Sequence, residues 1–193
     1  VIERLLASED PAVRIKTEVQ VLGADPYSWD AMLKRRDIAG SERVRALLSE
    51  RNEDGRIPHH PYRKWFGAHW VLAQLADIGY PPGDDSLIPL REQVYDWLYS
   101  RDHERSADVI NGRVRRCASQ EGNALYYLLV LGLADERTEE LADRLLSWQW
   151  HDGGWNCDRR PEAINSSFME TLIPMRGLAW HHKLTGDGRS MQA

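Results

Sequence analysis

The chain has 193 residues, with 25 Lys and Arg against 30 Asp and Glu, a net charge of −5, two cysteines and eight tryptophans. That length suits one domain with a sizeable core, and the acidic balance argues against nucleic acid as the main partner. No stretch approaches the ~18 consecutive apolar residues of a membrane span. No leader pattern marks the first ten residues, so two free thiols and a cytoplasmic location are expected.

In chain order, Asp10-Pro11 is a helix start with Pro at the first helical position, and Gly23 supplies a stop. Asp25-Pro26 and Ser41 open two more short helices, the second with Val44, Leu47 and Leu48 on one side. The turn Asn52-Glu53-Asp54-Gly55 and a loop with Pro58, His59, His60 and Pro61 lead into a helix over 65–78, apolar all round and closed by Gly79. After Pro81-Pro82-Gly83, a cap at Ser86 starts a one-sided helix with Leu87, Leu90, Val94, Trp97 and Leu98 in its stripe. A polar loop over 101–116 shows little periodicity. It is followed by the almost wholly apolar segment Asn123 to Leu133 and then by the amphipathic helix 136–150, which carries Leu141, Leu145 and Trp148. Asp152-Gly153-Gly154 is a turn, and Ser166-Ser167 caps a last apolar helix from Phe168 to His182, kinked at Pro174. That helix should be surrounded by protein along its length, yet the pattern leaves its far side without a covering element. A poorly covered apolar surface, and self-pairing of two copies through it, are therefore expected.

Inner-type and outer-type helices thus alternate, and Gly79, Gly132 and Gly186 end successive inner ones at a spacing of about fifty residues, a period that points to stacked helical hairpins. Residues 1–40 form an N-terminal helical segment and 41–193 the repeats, all within one all-α domain.

The outer helix ending in a tryptophan-containing turn, the segment QWHDGGWNCDRRP and the following Ser166-Ser167-Phe168 resemble repeats of the prenyltransferase and squalene-cyclase superfamily. The resemblance spans roughly residues 41 to 186. It implies an α/α toroid of inner and outer helices around an apolar cavity for isoprenoid chains, with the inner-helix starts at its mouth. About six hairpins close such a ring and this chain supplies roughly three, so an incomplete ring or arc is expected. The family's Asp-x-Asp-Asp acid and its Asp-x-Cys zinc pair are both missing; Asp84-Asp85 stands alone, and Cys157-Asp158 is adjacent and reversed.

Several residues are candidates for chemistry. Cys117, Cys157 and His60 precede inner-type helices and would share one rim, where thiolates and imidazole suit zinc, although small buried thiols and a packed histidine would leave the same pattern. Glu121 and Asp158 are a candidate carboxylate pair for acid and base work; a helix-start acid and an arginine partner explain them equally well. Arg115 and Arg116 with Arg159 and Arg160 could clamp a diphosphate, against the plainer role of surface ion pairs. Trp70, Tyr126, Trp155 and Phe168 would line an aromatic concavity for an isoprenoid or other apolar molecule, if they do not simply fill space between layers.

Three functions fit this reading. One is a prenyltransferase- or terpene-cyclase-like protein acting on or binding an apolar substrate in the concave face. The second is a carbohydrate-active α/α toroid, which needs two carboxylates in an open aromatic groove. The third is a non-catalytic helical-repeat binding protein.

Overall fold

The structure, a computed structural model, describes residues 1–192. It is mainly helical: α1 (Ile2–Leu6), α2 (Pro11–Lys16, running on as a π-turn through Val21), α3 (Trp29–Ala39), α4 (Glu42–Leu48), α5 (Ala68–Ile78), α6 (Ile88–Leu98), α7 (Arg101–Arg105), α8 (Ser119–Val130), α9 (Glu136–Trp148), α10 (Phe168–Thr185) and α11 (Arg189–Gln192). One small hairpin, β1 (Asp108–Ile110) with β2 (Arg113–Arg115), interrupts the series.

Caps set most boundaries. Asp10 accepts the Ala12 N–H at 2.9 Å and Pro11 opens α2. Ser41 accepts from Val44 at the start of α4, and Asp135 and Thr138 form a reciprocal capping box on α9. Gly79 and Gly186 take left-handed φ values of 85° and 77° at the ends of α5 and α10, where a side chain would be strained.

Four boundaries differ from expectation. Asp25 makes a turn by accepting the Tyr27 N–H, and α3 starts only after Ser28, whose hydroxyl takes the Ala31 N–H. Asp84 rather than Ser86 caps the turn before α6. Helix α5 begins at Ala68 because the loop folds back onto its start: a β-carbon on Gly67 would sit 2.2 Å from the Pro61 carbonyl oxygen, and Trp65 and Phe66 stay outside. The polar stretch 101–116 is not loop alone but α7, capped by Ser100, and the hairpin, turned by Asn111-Gly112 at φ 52° and 69°.

Helices α5, α8 and α10 lie side by side with α8 in the middle, while α6 packs on α5 and α9 on α8 and α10. The tightest approach is α8 on α10. A β-carbon on Gly122 would meet Pro174 Cα at 2.5 Å, and one on Gly177 would meet the Gly122 carbonyl oxygen at 2.5 Å. The missing side chains bring the two backbones together there, and α10 continues as helix through Pro174. The main core joins Ala12, Ile15 and Ile38 of the N-terminal segment to the apolar residues of α5, α6 and α8. A smaller cluster centres on Leu125, Leu145, Trp155 and Leu178.

Helix α10 is not surrounded along its length. Phe168 is 81% exposed and Met169 76%, with Leu172 and Met175 on the same uncovered side, whereas Leu178 and His181 further along are buried. No helix is long and apolar enough to cross a membrane among the described residues.

Candidate functional site

Three side chains from distant parts of the chain meet beside the start of α8. A parallel β-bridge between Arg115 and Asn156, with the Arg116 N–H donating to the Asn156 carbonyl at 3.2 Å, lays two loop strands against each other just before Cys117 and Cys157. The first turn of α10 then adds Glu170. Its Oε2 accepts the Ser119 N–H at 3.0 Å, at the open end of α8, and its Oε1 accepts from Cys157 Sγ at 3.7 Å. The two sulfurs and a Glu170 oxygen all lie within 4.8 Å of one another. Both thiols are free and half-buried. Burial pushes Cys117 up to about 12, with the neighbouring Cys157 and Glu170 adding to the effect; burial raises Cys157 as well.

Two thiols and a carboxyl suit a thiophilic divalent cation such as zinc. Tetrahedral zinc with bonds of about 2.0–2.3 Å holds its donors roughly 3.3–3.8 Å apart, a spacing the Cys157–Glu170 pair already has. Three protein donors leave a fourth position for a small ligand, as catalytic zinc sites do and closed structural sites do not.

The expected third ligand, His60, is not in this group; Glu170 takes that place. His60 Nδ1 instead accepts the Tyr62 N–H at 3.1 Å, and its ring packs edge-on against Trp97 at 5.7 Å. The tight loop 58–67 directs that ring into the α6 side rather than toward the thiols.

Glu170 and Ser119 also line a cleft of about 460 Å³ between the 62–65 loop, α5 and α10. Tyr62, Trp65 and Trp70 form its aromatic wall, with Trp65 and Trp70 edge-to-face at 4.5 Å and Tyr62 5.4 Å from Trp70. Lys64 lies over both indoles at 5.7 Å, and Ile173 and Met169 give the opposite wall apolar cover. Further along α5 and α10, Asp77 and Arg176 pair across the cleft at 3.0 Å.

The two candidate carboxylates are not brought together. Glu121 is fully buried, where one oxygen takes His103 Nε2 and Arg116 Nη2, both at 2.8 Å. Burial pulls its pKa up, but the His103 hydrogen bond and the Arg116 charge outweigh it and hold the carboxyl below its ordinary value. Arg116 is spent inside the same cluster, donating also to the His103 carbonyl at 2.5 Å and to Ser106. His69 sits next to this cluster, hydrogen-bonded to Tyr127 at 3.1 Å; burial, with the His103 charge, pushes it down to about 3. Asp158 is held by Arg160 at 2.5 Å, and that partner lowers it to about 2.

Nor do the four arginines form one anion-facing set. Arg115 is buried, donates to the Ala163 carbonyl at 2.8 Å and stacks on Trp150 at 4.4 Å. Arg159 pairs with Asp108 at 2.9 Å, and Arg160 with Asp158. Among the aromatic candidates, Trp70 lines the cleft. Trp155 is 1% exposed and donates to the Leu145 carbonyl at 2.9 Å, a packing role. Phe168 points to solvent, and Tyr126 lines a different cleft beneath Arg176, whose guanidinium lies 3.7 Å from the ring centre.

Glu170 and Tyr62 are the site residues that sequence reasoning missed. Glu170 carried a faint signal, an acid in the first turn of a helix otherwise apolar there; Tyr62 carried none beyond its place beside His60 and Pro61. Comparisons with protein-family models, with curated proteins and with solved structures each find no match.

Proposed function

We propose that the chain is a toroid-type helical-hairpin protein that holds an apolar, isoprenoid-like substrate along the α5–α8–α10 face and presents to it a zinc-type ion bound by Cys117, Cys157 and Glu170. The observation that carries this reading is that Glu170 belongs to both places: it joins the thiol cluster and lines the aromatic cleft. When bound, such an ion supplies a polarised water or thiol nucleophile at its free position. The residues of this chain do the rest. Tyr62, Trp65 and Trp70 hold a hydrocarbon chain by stacking and exclude water, and the faces of their rings favour positive charge developing on it. The Ser119 N–H fixes the Glu170 carboxylate in place. The class this describes is a metal-dependent transferase- or cyclase-like enzyme.

The test is cobalt loading of the purified protein. Cobalt should bind once per chain with thiolate-to-metal absorption in the near ultraviolet, lost in Cys117→Ser and Cys157→Ser, weakened in Glu170→Gln and kept in His60→Ala. Loaded protein should also bind farnesol with quenching of tryptophan fluorescence, and Trp70→Ala should reduce that binding. Absence of stoichiometric cobalt would remove the metal role, and a folded protein that binds neither would overturn the reading.

A further inference from the structure

A second cleft, also about 460 Å³, lies on the far side of the Asp77–Arg176 pair, where the N-terminal segment crosses α5, α8 and α10. Its walls are mostly apolar and include Ile15 and Val19 from the N-terminal segment, Leu129 from α8 and Trp180 from α10. Three cations stand among these walls: Lys16, Arg35 and Lys183. Asp77 is the one acid lining it, and Asp77 is already paired with Arg176.

The cations differ in what they already hold. Lys183 donates to the Tyr27 hydroxyl at 2.8 Å and lies over the Trp180 ring at 4.6 Å. Lys16 and Arg35 have no hydrogen-bond or ion-pair partner among the described residues; the nearby acids Glu18 and, on α3 itself, Asp30 pair with Lys34 instead. Arg35 is the more telling, because its Nε is buried from water and unpaired. A buried donor without a partner is unfavourable, so an arginine that keeps one while lining a cleft invites an acceptor from outside the chain. The guanidinium fork matches a planar carboxylate.

We infer that this cleft binds an amphipathic anion, an alkyl chain of fatty-acid type with its tail among Ile15, Val19, Leu129 and Trp180 and its carboxylate on Arg35 and Lys16. The site is separate from the thiol cluster and does not depend on the metal reading. Apolar walls supply most of the affinity and a few placed polar groups the orientation, the usual division in small-molecule pockets.

The experiment is calorimetric titration of the whole protein with decanoate, decanol and decylammonium. Decanoate should bind most tightly, decanol about tenfold or more weakly, and decylammonium weakest. Arg35→Gln should weaken decanoate about tenfold and leave decanol unchanged; since Arg35 has no hydrogen-bond or ion-pair partner among the described residues, this variant should keep the parent melting temperature. Cys117→Ser should bind decanoate as the parent does, which separates this site from the metal. Equal binding of decanoate and decanol, or unaltered decanoate binding by Arg35→Gln, would overturn the assignment.

Discussion

Two clusters of ionisable side chains flank the start of α8, and they differ in one respect. Around Glu121, the carboxylate charge is met from within: His103 and Arg116 both bond Oε1, and Arg116 also reaches a backbone carbonyl and a serine, while Glu121 Oε2 and Arg116 Nε stay buried without a partner. Around Cys117, two thiols and a carboxyl crowd together, Glu170 also lines the aromatic cleft, and among the described residues no Lys, Arg or His bonds any of the three. Both were read from the sequence as candidates for chemistry. The difference teaches that a perturbed group says little until its partners are counted: a buried carboxylate that already holds a guanidinium and an imidazole is a structural device, whereas two thiols and a carboxyl beside a cleft have donor atoms to offer a cation.

Breaking the first cluster should have the largest effect. Glu121→Gln removes the counter-charge of a buried guanidinium, and loss of about 3–5 kcal/mol is expected, measured as a fall in the urea midpoint. If the midpoint stays put, Glu121 is not the keystone described here. The pH profile sharpens the same point. His69 has a folded pKa of about 3 against an unfolded value near 6.5, so the unfolded chain binds the extra proton between the two. Stability is then fully present above pH ~6.5 and falls on acidification toward pH ~3 by up to about 1.4 kcal/mol per pH unit. The depressed Glu121 carboxyl acts with the same sign at the lower end of that window. His69→Asn should flatten the slope between pH 6 and 5 in denaturant titrations; an unchanged slope would remove His69 as its source.

Smaller effects test the second cluster. Cys117→Ser exchanges one small group for another at a half-buried site and should change the stability of metal-free protein by less than ~1 kcal/mol while abolishing cobalt absorption. A large stability loss would make the thiol a core residue and not a ligand. The smallest effect belongs to Arg160→Ala: an exposed arginine paired with its neighbour but one should be replaceable with no resolvable change in melting temperature.

Local patterns were legible because they are local. Asp10-Pro11, the Ser41 cap and the single apolar stripe of α9 each write their helix into a few adjacent residues. The hairpin was missed: Asn111-Gly112 between Val-Ile and Arg-Val is a strong two-residue turn signal, but the surrounding charge made 101–116 read as a polar loop. What could not be read was pairing across distance. Cys117 and Cys157 were expected on one rim, but the contact that joins them, the Arg115–Asn156 bridge, was not legible, nor was Glu170, which reaches them because Gly122, Pro174 and Gly177 let α10 lie close against α8. His60 was expected beside the thiols because, like them, it precedes an inner-type helix, and the fold-back onto Gly67 turns its imidazole away.

Asp77 lines both the aromatic cleft and the second, apolar cleft. Arg176 is bonded to Asp77 and to Asn123 at 3.0 Å each and rests on Tyr126. Arg176 is therefore pinned from three sides beside the residue that the two clefts share, and swinging it aside would cost two hydrogen bonds and a cation–π contact at once.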